Sequence, residues 1–161
     1  MRKIFLFLLI FMAFASLALA GAPKPGDPAP DFSLQTMDGK TLSLSSFKGK
    51  VVLIGMFHIC VPCMNQAMEL NKVREQIQSD DLVILGINTS GDSPDEVLAY
   101  LKRFPQPVKF PYLLDPAQTV HKAYIQRDMP TVLVVDKEGV LRARSPSVGA
   151  GQLVPFLKKL L

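Results

Sequence analysis

Short apolar runs punctuate this chain at 51–57, 82–87 and 131–135, each rich in branched side chains and free of any charged residue. A run that never alternates suits a strand buried on both faces of a sheet. Two flanking stretches behave differently. Residues 31–34 and 41–44 alternate apolar and polar around Met37-Asp38-Gly39-Lys40, the pattern of a β-hairpin with a glycine in its turn. Between the runs the period lengthens to that of a helix. Met64, Ala67, Met68, Leu70, Val73 and Ile77 share one face behind Pro62, which sits at a first-turn position. Ser93-Pro94-Asp95-Glu96 reads as a capping box, with Val97, Leu98, Leu101 and Phe104 behind it. Residues 111–114 form a short strand, and Asp115-Pro116 caps a helix carrying Val120, Ala123 and Tyr124. Asp136-Lys137-Glu138-Gly139 turns the third run into 140–143. A last helix bears Leu153, Phe156, Leu157, Leu160 and Leu161. Strands alternating with helices imply an α/β fold: a central mixed β-sheet flanked by helices on both faces, its first crossover right-handed, with the hairpin added at the N-terminal side.

The 161 residues suffice for one domain, expected over 31–161 behind a Pro- and Gly-rich extended lead-in at 21–30. Residues 1–20 have another character. Arg2 and Lys3 precede an apolar stretch, and Ala18-Leu19-Ala20 closes it, the layout of a cleaved signal peptide. The stretch also approaches the length of a spanning helix, so an uncleaved N-terminal anchor is the alternative. Either reading puts the domain outside the cytoplasm, periplasmic and soluble after cleavage or tethered to the inner membrane. The net charge of +4 includes those two leader cations, and such a balance gives no case for nucleic acid.

The chain has two cysteines, Cys60 and Cys63, where the first buried strand gives way to a helix. A bridge across so short a loop is a poor structural staple, so reversible chemistry is the better use of the pair. The helix N-terminus favours a thiolate, which makes Cys60 the expected nucleophile and Cys63, one turn inside, its resolving partner. Pro62 shapes the turn between them at a site that needs no N–H donor. Structural zinc would need four ligands, and beyond this pair only His58 and His121 could assist. A c-type haem site would need His after the second cysteine, where Met64 stands. No metal and no cofactor beyond the redox-active disulfide itself is expected. His58, two residues before Cys60, would as a cation lower the pKa of the thiol. His121 is expected at the surface, and Met56, Met64 and Met68 in core or rim packing.

The residues 26–34 (GDPAPDFSL), 44–53 (LSSFKGKVVL), 124–131 (YIQRDMPT) and 135–139 (VDKEG), together with the CxxC pair, resemble the TlpA/ResA branch of thioredoxin-like proteins, related to the AhpC/TSA redoxins. The resemblance covers residues 24–161. It implies a thioredoxin fold, a membrane-tethered or periplasmic address, and reduction of disulfides in exported proteins such as apocytochromes (cytochrome c maturation) or copper-site proteins. It further implies a transmembrane thiol electron donor and a cis Pro130 facing the pair, with the Met129 backbone open to a substrate strand. A monomer is expected. Departures from the family pattern are Ile59 in place of Trp before the first cysteine and Gln66 in place of Glu after the second. Ile54 replaces the buried acid of thioredoxin, which leaves water or His58 to take the proton of Cys63. Glu69 is expected to be a solvated helix residue. Two other readings share these residues: a copper-binding chaperone using Cys60, Cys63, His58 and Met64, and a thiol peroxidase. The latter needs Thr three residues before its reactive cysteine, where Phe57 stands.

Overall fold

The computed structural model describes residues 21–161; the signal peptide or anchor expected at 1–20 lies outside the described residues. Seven strands make one mixed sheet: β1 (Ser33–Thr36), β2 (Thr41–Ser43), β3 (Val51–Phe57), β4 (Leu82–Asn88), β5 (Tyr112–Leu114), β6 (Thr131–Val135) and β7 (Leu141–Ser145). They lie in the order β2-β1-β5-β4-β3-β6-β7. At the centre β3 runs parallel to β4, with Ile54 opposite Leu85, and antiparallel to β6, with Ile54 opposite Leu133. The α-helices among the described residues are α1 (Val61–Gln76), α2 (Pro94–Leu101), α3 (Thr119–Ala123) and α4 (Ala150–Lys158).

The pleat of β3 divides the core. Val51, Leu53 and Phe57 face one way, where Leu70 and Val73 of α1, Val97 of α2 and Leu153 and Leu157 of α4 cover them. Val52, Ile54 and Met56 face the other, packed with Val120 of α3, Tyr124 and the hairpin residue Leu34. Side chains on both faces explain why these strands show no alternation. Gly55 is needed within β3 because the Phe57 ring folds back over it and occupies the space a Cβ would take.

Element boundaries differ locally from those the sequence pattern predicts. Strand β1 is displaced toward the turn, pairing Ser33 with Ser43. Asp115 and Pro116 do not open α3, whose N-cap is Gln118 in a left-handed conformation. The Asp115 carboxylate still reaches the helix, accepting from the N–H groups of Thr119 and Val120 at 2.7 and 2.8 Å. The lead-in is fastened down: Gly26 N–H donates to Leu141 O at 2.8 Å and Ala29 N–H to Gly139 O at 2.9 Å. No helix among the described residues is long and apolar enough to cross a membrane.

Candidate active site

Strand β3 delivers the chain to His58 and Ile59, and Cys60 then serves as the N-cap of α1. Its extended backbone (φ −152°, ψ 157°) turns the side chain back over the first helical turn, where Sγ accepts from Cys63 N–H at 3.2 Å. Pro62 occupies the first turn, where a missing N–H leaves no bond unmade. Cys60 and Cys63 form a disulfide with their Cα atoms 5.3 Å apart. Burial separates the two sulfurs. Cys63 is 1% exposed and joins the core cluster, whereas Cys60 is half-buried at the surface. A reagent reaches Cys60 first, and the helix N-terminus beneath it supplies partial positive charge to any thiolate formed there.

Residue His58 touches the pair through its backbone, whose N–H donates to Cys63 Sγ at 3.4 Å. Its ring lies 6.1 Å from that of His121. Burial, then the His121 ring, hold the imidazole below its ordinary value of 6.5 against the opposing pull of Asp92. The environment thus favours the neutral ring near pH 7. His121 is itself corrected: it is half-buried and packs on His58 instead of lying away from the site.

The Met129–Pro130 peptide bond is cis. It immediately precedes β6, where Thr131 pairs with Met56 at the end of β3 that leads to the cysteines. A buried network braces this loop. Gln126 Nε2 donates to Met56 O at 3.3 Å and to Asp128 O at 3.2 Å, while its Oε1 accepts from Thr89 Oγ1 at 2.6 Å. Pro62, Met129 and Pro130 consequently line one groove of about 490 Å³, with Asn65, Gln66 and Val148. Gln66 is 4% exposed and clasps Val148 from both ends of its amide, each bond 2.8 Å. Glu69 is not merely solvated: Oε2 accepts from Ala150 N–H at 2.8 Å and caps α4. That bond and Lys72 hold its carboxyl below the usual range.

The sequence reading missed Tyr100. Its hydroxyl donates to Cys60 O at 2.6 Å, and its ring lines a second pocket on the other side of the disulfide. The sequence carried a signal for its burial alone, since Tyr100 stands three residues after Val97 on the face of α2 that buries both. Leu98, assigned to that face, is 44% exposed instead.

Residues 25–144 match the sequence profile of the AhpC/TSA family. Thioredoxin-like protein YneN of Bacillus subtilis is 32% identical over 122 residues, 74% of this chain and 69% of the relative. Thiol-disulfide oxidoreductase ResA of the same organism is 30% identical over 115 residues, 71% and 63% of the two chains. A chloroplastic peroxiredoxin Q of Populus jackii is 32% identical over 126 residues, 73% and 57%. Among solved structures, a thiol:disulfide interchange protein DsbE from Chlorobium tepidum superposes with a TM-score of 0.71 at 23% identity, over 86% of this chain and 96% of that one. The shared architecture is the thioredoxin fold.

Proposed function

Because the chain belongs to the AhpC/TSA family, as a thioredoxin-like thiol–disulfide oxidoreductase of TlpA/ResA type, we propose that it reduces disulfides of exported proteins through Cys60 and Cys63. The observation that carries this reading is the unequal exposure of two bonded cysteines at a helix N-terminus. In the reduced enzyme the Cys60 thiolate attacks a substrate disulfide; a Cys60–substrate bond forms and one substrate thiolate leaves. Cys63 then attacks Cys60 Sγ, which restores the Cys60–Cys63 disulfide and releases the second substrate thiol. Two electrons pass to the substrate, and a membrane thiol donor returns them. The exposed Met129 and cis Pro130 border the groove in which a substrate strand would lie. Pro62 shapes the nucleophile's turn, and His58 acts on Cys63 through its backbone N–H, and as a neutral ring able to accept a proton.

Direction of transfer follows from potential. Val61 and Pro62 add no cation between the cysteines, which favours a reducing couple. Equilibrating residues 21–161 with a dithiol buffer should give a potential near or below about −270 mV, whereas a value near about −120 mV would make the protein an oxidant. Cys60→Ser should abolish reduction of a cystine peptide, and Cys63→Ser should instead accumulate the mixed disulfide.

Similarity to a peroxiredoxin favours a second reading, peroxide reduction. Against it, Phe57 fills the place of the required Thr, fully buried with its ring stacked on Tyr112 at 6.1 Å. Peroxide-dependent oxidation of the reduced protein at rates far above those of free cysteine would favour that reading.

A further inference from the structure

On the side of the disulfide away from Pro130 lies a pocket of about 350 Å³ formed by Ile59, Cys60, Val61, Met64, Tyr100 and Arg103. Its wall is apolar apart from the tyrosine and one cation, and no carboxylate among the described residues lines it. Val61 stands 64% exposed at the rim. Tyr100 is fixed by its bond to Cys60 O and by a T-shaped contact with Phe104, ring centroids 4.8 Å apart. The Arg103 guanidinium sits over the Tyr100 ring, 5.6 Å from its centroid. It makes no ion pair among the described residues, while Glu96, in the first turn of the helix that precedes it, is engaged by Ser93. A cation held over an aromatic face, beside an exposed apolar surface and the reachable sulfur, keeps its donors free for a partner.

We propose that this pocket is a substrate-docking site that seats an apolar side chain flanking the reactive half-cystine of a protein substrate and pairs an adjacent substrate carboxylate with Arg103. The inference rests on the thiol–disulfide reading and adds a specificity to it. Arg103 selects substrates whose disulfide is bordered by an acidic residue; Tyr100, bonded to the backbone of the nucleophile, keeps the cation in register with Cys60. The apolar rim explains why the pairing is effective, since a seated side chain excludes water from the ion pair and lowers its screening.

Short cystine peptides differing only by Glu, Gln or Lys beside the reactive half-cystine, offered to the dithiol-reduced full chain, test this directly, with hydroxyethyl disulfide as an uncharged reference. The Glu peptide should be reduced with kcat/KM about fivefold above the Gln peptide, mainly through KM, and the advantage should shrink with added salt. Arg103→Gln should level the two peptides, and Arg103→Glu should invert the order in favour of Lys. Equal rates for Glu and Gln peptides, or an order unmoved by Arg103→Glu, overturn the proposal while leaving the thiol–disulfide reading intact. Failure of the wild-type chain to reduce even hydroxyethyl disulfide removes the thiol–disulfide reading and this inference with it.

Discussion

The imidazole of His58 lies 6.1 Å from the ring of His121, and its protonation is coupled to folding. Burial depresses its pKa, so the unfolded chain binds the proton more readily than the native one. The stability this contributes is complete above 6.5 and is lost as pH falls through the lower native value. Denaturant midpoints should therefore drop between pH 7.5 and pH 5.5, above the range where Glu69 titrates, and His58→Phe should drop less. An equal drop in both proteins would show that the ring stays hydrated in the native state. The position of His58 before the cysteines was visible in the sequence, but its charge was not. Charge depends on what buries the ring, and His121 arrives there from 63 residues further along the chain.

Elements obey local rules more faithfully than side chains do. Ser93 accepts from Glu96 N–H at 3.3 Å, and Glu96 returns the bond to Ser93 N–H at 2.9 Å, completing the capping box read from four letters. Ser93→Ala should cost about 1 kcal/mol in urea unfolding. Because α2 carries Tyr100, the same variant should also raise the protease sensitivity of the segment beside Cys60; an unchanged unfolding midpoint would mean tertiary contacts alone hold the helix. At the start of α3 a side chain bonds past its neighbours. Asp115 reaches four to six residues forward to the α3 amides, so the cap and the helix start part company. Glu69 looked solvated by its helical position, yet α4 comes back across the fold to place the Ala150 N–H against it.

At the level of the whole molecule, redox state and stability are two sides of one cycle. A couple more reducing in the folded chain than in the unfolded one must make the oxidised protein the more stable form. For a disulfide reductase, guanidinium unfolding of the oxidised chain should therefore need more denaturant than unfolding of the dithiol form. The opposite order would mark an oxidant, independently of any substrate. The fold supports such a cycle by rooting Cys63 in the core behind β3 and leaving Cys60 at the surface.

The order of strands and helices, the mixed sheet and the CxxC at a strand–helix junction were all readable from the chain, because they depend on periodicity, capping residues and spacing, which act over one or two turns of backbone. Only the tertiary structure decided the site's surroundings: the groove of Pro62, Met129 and Pro130, the clasp of Gln66 on Val148, and Tyr100 and Arg103 beside Cys60. Those contacts join residues 40 to 82 positions apart, and no local pattern encodes them. They arise when the β3–α1 junction, the loop before β6 and the end of α2 are packed against one sheet, and packing is a property of the assembled core.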